Sequence, residues 1–191
     1  MRQRLLVTVL APLAATLALA SSAHAGGGYL SGGIGGGAGL DGNIATSFQT
    51  DDSNSARFSL GQRIGPVALE ASLFGAGLVG RQQFVGYGSE YDTLSLGVDL
   101  KYYFSLVGPL ELYPKIGINK TWLLEPSDSQ HDYDGTGWDI GGGVQFTFDT
   151  AASMVAIWLD YTQQRTDLRD PGKRDLDGRV SMLTLGLSVG F

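Results

Sequence analysis

Residues 94–104 read Leu94-Ser95-Leu96-Gly97-Val98-Asp99-Leu100-Lys101-Tyr102-Tyr103-Phe104. Leu94, Leu96, Val98, Leu100, Tyr102 and Phe104 fall on one side of a period-2 alternation. Ser95, Gly97, Asp99, Lys101 and Tyr103 fall on the other. Successive side chains of an extended chain point to opposite faces, so the segment reads as a strand with one apolar and one charged face. A helix would need apolar residues at three- and four-residue steps, which are absent. The chain end repeats the pattern, setting Leu183, Leu185, Leu187, Val189 and Phe191 against Met182, Thr184, Gly186, Ser188 and Gly190. Residues 138–148 and 155–162 alternate in the same way, and 57–64, 67–74 and 110–118 do so more weakly. Residues 28–38 are mostly Gly and form a first strand whose register cannot be read. That makes about eight strands, each near the 9–11 residues a tilted strand needs to cross a bilayer.

The polar face decides which side points outward. It carries Arg57, Arg63, Glu70, Asp99, Lys101, Glu111, Lys115, Asp139 and Asp160 among Gly and Ser. An Arg or Lys facing lipid at the midplane of a barrel wall costs roughly 2–4 kcal/mol, so this face is expected inside. Buried ions must be paired, which sets Glu70 and the lumenal aspartates Asp99, Asp139 and Asp160 against Arg57, Arg63, Lys101 and Lys115. With Phe74, Tyr103 and Trp158 also inward, an eight-strand interior is nearly filled, so a closed lumen is expected. Tyr102, Phe104, Trp122, Trp138, Phe148 and Phe191 lie near strand ends, as interfacial girdles do. A soluble ligand-carrying barrel would need the opposite sorting of faces.

The connections alternate in length. Short ones fall at Ile64-Gly65-Pro66, Ser105–Pro109 and Asp149–Ser153, and long polar ones near 41–55, 76–91, 123–136 and 166–178. This order puts every long loop at one end and both termini at the other, an asymmetry of bacterial outer-membrane barrels. The expected fold is all-β: an eight-stranded antiparallel up-and-down transmembrane β-barrel over 26–191.

The first 25 residues read as a cleaved signal peptide: Arg2 and Arg4, an apolar run from Leu5 to Ala20, then Ala23-His24-Ala25 as a small-x-small processing site. The chain has 191 residues, 29 of them Gly, and no Cys, which excludes disulfides, thiolate zinc sites and a lipidated cysteine after the processing site. A net charge of −6 argues against a nucleic-acid partner.

The ending from Leu183 to Phe191, LTLGLSVGF, resembles the C-terminal signal of outer-membrane barrels. The stretch from Ala56 to Ala71, ARFSLGQRIGPVALEA, resembles a hairpin of the OmpA/OmpX-like eight-stranded barrels, and Gly137 to Phe146, GWDIGGGVQF, one of their later strands. The resemblance implies a Gram-negative outer-membrane protein. Its Leu185, Leu187, Val189 and Phe191 would be read by the barrel-assembly machinery. Two departures stand out: Pro114 lies within an expected strand, where it removes a ladder donor, and no wall-binding domain is read after Phe191.

Catalysis finds little support. Some barrels of this size modify lipid A, and such a deacylase would need a His-Ser pair with an acidic partner. His131 is the one histidine after the processing site; it stands in a long loop, with Ser127 and Ser129 near only in sequence. Loop acids such as Asp51, Asp52, Asp128, Asp132, Asp134 and Asp167 through Asp177 lack EF-hand spacing. The expectation is therefore a non-enzymatic monomer without catalytic, cofactor or metal site. It would have a structural or adhesin-like role, extracellular long loops and periplasmic termini, with outer-membrane lipids and lipopolysaccharide as partners. A lipid A-modifying enzyme or a small pore is the alternative.

Overall fold

The computed structural model describes residues 27–50, 55–80, 90–124, 133–149, 153–169 and 176–191. The signal segment, His131, Ser127, Ser129 and the loop acids Asp51, Asp52, Asp128, Asp132, Asp170 and Asp175 lie outside them.

Ten strands and one short helix make up the described chain: β1 (Gly28–Gly42), α1 (Asn43–Ser47), β2 (Phe48–Thr50), β3 (Ser55–Ile64), β4 (Val67–Gly80), β5 (Glu90–Tyr102), β6 (Phe104–Val107), β7 (Leu110–Leu124), β8 (Tyr133–Asp149), β9 (Met154–Arg169) and β10 (Leu176–Gly190). Every strand pairs antiparallel with its neighbour, and β1 closes on β10, so no barrel edge is left open. β5 and β6 act as one stave. Their ladder to β7 lapses between Lys101↔Lys115 and Phe104↔Leu112, across from Pro114, which has no N–H to give. The proline thus sits in a strand, paired with Gly142 on its other side. Eight staves result.

Following directly opposed residues from Arg179 through Arg165, Trp138, Ile118, Val98, Ala71, Leu60 and Leu30 returns to β10 at Val189, ten residues further on. This stagger tilts the staves by roughly 35–45°. The first strand absorbs one irregularity, a register shift between Gly36 and Gly39.

The faces sort inside out relative to a soluble core. Leu96, Val98, Leu100, Leu183, Leu185, Leu187 and Val189 are exposed, whereas Glu70 and Asp160 are each 1% exposed. The short turns use glycine where the backbone is left-handed, at Gly65 (φ 61) and Gly108 (φ 57), each followed by Pro.

Three long loops are shorter than the sequence reading placed them, because the staves continue well past the apolar band. There the polarity inverts: Leu123, Tyr133, Leu168 and Leu176 point inward and are buried, while Asp134, Arg169 and Asp177 on the same strands are exposed. A strand that is polar outside and apolar inside lies above a bilayer rather than within it. Within the 41–55 stretch, expected as a polar loop, residues 43–50 fold into α1 and β2, and β2 takes a place beside the end of β4 through Phe48↔Gly80 and Thr50↔Leu78.

Candidate functional site

The lumen is built in layers. At the short-turn end Arg63 donates two hydrogen bonds to Glu111, both 2.8 Å, and lies 4.1 Å from the centre of the Tyr103 ring. Above it Tyr29, Ala68, Tyr103 and Tyr113 pack together, with the Tyr103 and Tyr113 rings 5.1 Å apart. Glycine makes this possible in so narrow a tube. A Cβ at Gly61 would overlap the Tyr29 ring, one at Gly143 would strike Tyr113, and one at Gly186 would strike Trp158.

The middle layer is ionic. Arg57 Nη2 donates to Glu70 Oε1 at 3.0 Å and to Asp99 Oδ2 at 2.8 Å, and its Nη1 reaches Asp160 Oδ1 at 3.4 Å. Lys101 donates to Glu70 at 2.6 Å, and Lys115 to Asp160 at 2.8 Å. Neutral donors fill the remaining lone pairs: Tyr29 to Glu70 at 2.8 Å, Ser72 to Asp99 at 3.1 Å, and Tyr113 and Thr162 to Asp160 at 3.0 and 2.6 Å. Three cations face three carboxylates, all buried, each carboxylate satisfied by more than one partner. Removed from water, such a cluster holds only while it is complete.

Asp139 differs from the sequence reading. It is buried on β8, but among the described residues it makes no ion pair. Its Oδ2 accepts from Asn119 at 3.3 Å, while its Oδ1 meets no donor among the described residues and lies on the side of the Asp99 carboxyl. The register is the reason: Asp139 stands between Gly117 and Gln164, while the nearby lysines are turned toward Glu70 and Asp160. Arg63 likewise belongs to the mouth rather than to the central layer.

A polar layer follows, where Gln164 Nε2 lies 3.0 Å from Ser95 Oγ, 3.1 Å from Asn119 Oδ1 and 2.7 Å from Thr121 Oγ1. The long-loop end is then stopped by an apolar cluster. Phe48 is wholly buried among Ile44, Leu78, Tyr91, Leu123, Tyr133, Leu168 and Leu176, edge-on to Tyr91 at 5.1 Å. Gly178 leaves the space that the Ile44 side chain occupies. This lid was missed because Ile44 and Phe48 are two apolar residues in a polar stretch. The hydroxyl partners Tyr29, Tyr113 and Thr162 were also missed, although the strand period already turned Tyr113 and Thr162 inward.

Outward, Phe104, Phe146, Phe148, Tyr102 and Phe191 ring the short-turn end, and Trp122 and Trp138 stand toward the other. Lys120 pairs with Asp134 and lies 5.8 Å over the Trp122 ring.

The family model of the outer membrane protein beta-barrel domain matches residues 6–191. Neisserial surface protein A has a similar structure, with a TM-score of 0.54 at 15% identity, covering 86% of this chain and 97% of that one. The N-terminal β-barrel domain of Pseudomonas aeruginosa OprF gives 0.50 at 18% identity, covering 86% and 99%. A major outer membrane protein from Thermus thermophilus gives 0.50 at 13%, covering 88% and 100%. Identities this low speak for a common fold. No curated protein matches the chain in sequence.

Proposed function

Since the chain belongs to the outer membrane protein beta-barrel domain family and so resides in an outer membrane, we propose that it is a closed, non-catalytic barrel whose long loops present an adhesin-like surface outside the cell. The observation that carries this reading is the ionic layer. Arg57 spans the lumen to Glu70, Asp99 and Asp160, and the apolar lid on Phe48 lies beyond it. An ion on its way through would have to break the paired charges and then cross an apolar stop. Glu70, Asp99 and Asp160, the carboxylates of the ionic layer, accept bonds from fixed partners, which leaves them no spare basicity for hydrolysis.

In this reading the long loops face outward and the short turns and both mature termini face the periplasm, and the sorting of connections supports it. Leu185, Leu187, Val189 and Phe191, exposed on the last stave, would be the surface that the assembly machinery engages. Lipids and lipopolysaccharide would surround a monomer.

Two measurements test the proposal. The purified protein in a planar bilayer should give no sustained conductance, and a steady, voltage-independent open level would make it a pore. Deleting residues 125–132 should leave the heat-modifiable gel shift of the folded barrel intact yet reduce attachment of expressing cells to host surfaces several-fold. Unchanged attachment would leave a purely structural role.

A further inference from the structure

One face of the barrel carries an exposed basic pair at the level where its apolar surface ends. On β9 the outward residues run Ile157, Leu159, Tyr161, Gln163, Arg165, and on β10 Leu187, Leu185, Leu183, Ser181, Arg179. The register sets Arg179 directly opposite Arg165, and Arg165 directly opposite Trp138. Both arginines are exposed, and among the described residues neither forms an ion pair. Like charges facing each other across a ladder are unfavourable, with Cβ atoms about 5 Å apart. This pair stands in a chain of net charge −6. An anion between the two forks would relieve the repulsion, and a phosphate fits guanidinium donors bidentately.

The surroundings say which anion. Asp177 stands opposite Asp167 on the side away from the apolar band, and Asp41 on β1 stands directly opposite Arg179, so acidic groups border the pair above and on the β1 side. The side left for an anion is the one toward Trp138 and the apolar band. Toward the band the surface is apolar, and four residues along β9 and β10, roughly 13 Å away, it is hollow. There a groove of about 570 Å³ runs beneath Tyr161 and Leu183 past Leu159, Val144 and Pro114. It is open because Gly142, opposite Tyr161 and Pro114, has no side chain. A phosphate head and an apolar groove on one face, at the spacing of a headgroup and its chain, match a lipid rather than a free ion.

We propose that Arg165 and Arg179, flanked by Trp138, bind the phosphate of a phosphorylated outer-leaflet lipid, one of whose acyl chains lies in the groove at Gly142. The site rests on the orientation proposed above, which places these arginines at the outer leaflet.

The test uses the full mature barrel in an uncharged detergent, with diphosphoryl lipid A as the probe and native mass spectrometry to count retained lipid. The double variant Arg165→Gln/Arg179→Gln should bind about ten- to a hundredfold more weakly. Gly142→Leu, which fills the groove and leaves both arginines, should also weaken binding, and inorganic phosphate should not compete at the concentration of the lipid. All variants are checked for the heat-modifiable gel shift. Lipid retention equal to wild type in the double variant overturns the site, and full competition by inorganic phosphate overturns the lipid as its occupant. Orientation is read separately with Ser129→Cys and an impermeant maleimide on intact cells. Absence of labelling there refutes the outer-leaflet placement, whatever the lipid measurement gives.

Discussion

Arg57→Ala should lower the unfolding free energy of the barrel by about 3–5 kcal/mol, the cost of stranding buried charge when one partner is removed. The side chain is buried and is shared by Glu70, Asp99 and Asp160. Without it Lys101 and Lys115 remain for three carboxylates, and Asp99 loses its one ion pair among the described residues, keeping the Ser72 hydroxyl as a donor. Arg57→Lys should fall between wild type and Ala, since a single ammonium cannot fork between carboxylates as the planar guanidinium does. The decisive comparison is Arg57→Met/Asp99→Leu, which removes both members of the 2.8 Å pair and should recover a good part of the loss. The measurement is urea unfolding in lipid vesicles, followed by tryptophan fluorescence and by mobility on unboiled gels. A loss below about 1 kcal/mol for the Ala variant would mean that water or relaxation screens the cluster, and the closed-lumen reading would lose its basis.

Phe48→Ala acts at the other end and should act locally. Replacing a fully buried phenylalanine costs about 3–5 kcal/mol where the cavity cannot collapse. Here the ring fills the centre of a cluster contributed by Leu78, Tyr91, Leu123, Tyr133, Leu168 and Leu176. The segment it anchors is small, with α1 five residues and β2 three, joined to the wall by three residue pairs to β4. Such a segment can open without the staves parting, so the loss should appear as faster hydrogen exchange. Amides of residues 43–50 should lose most of their protection, while those at the centres of β9 and β10 keep theirs. Phe48→Leu should retain most of the protection. Equal exchange in wild type and Phe48→Ala would show that the lid is not held by this ring.

Much of the architecture was legible in the chain. Period-2 alternation in 94–104 and 183–191 is a local property: each residue's face follows from its neighbours, whatever they pair with. The position of the charges on one of those faces then determined which side meets lipid, because the cost of an exposed charge in hydrocarbon falls on one sorting only. So the buried placement of Glu70, Asp99, Lys101, Lys115 and Asp160 needed no tertiary information. The upper staves were another matter. Around Tyr133, Asp134, Arg165, Thr166, Asp167 and Leu168 the strand continues with its polarity reversed, and an alternation judged by apolar residues facing lipid stops where the lipid stops.

Sequence by itself determined the strands, the two faces, the order of long and short connections and the set of charges sent inward. Tertiary structure alone decided which charges meet. Arg57 and Asp160 are 103 residues apart, Tyr29 and Glu70 41 apart, and what brings them together is a stagger of ten residues around a closed wall. That stagger left Asp139 opposite glycine and glutamine rather than a cation and set Arg165 against Arg179, while the pairing of β2 with β4 carried Phe48 into the long-loop end. Alternation depends on the next residue in the chain, whereas register and closure depend on all eight staves at once.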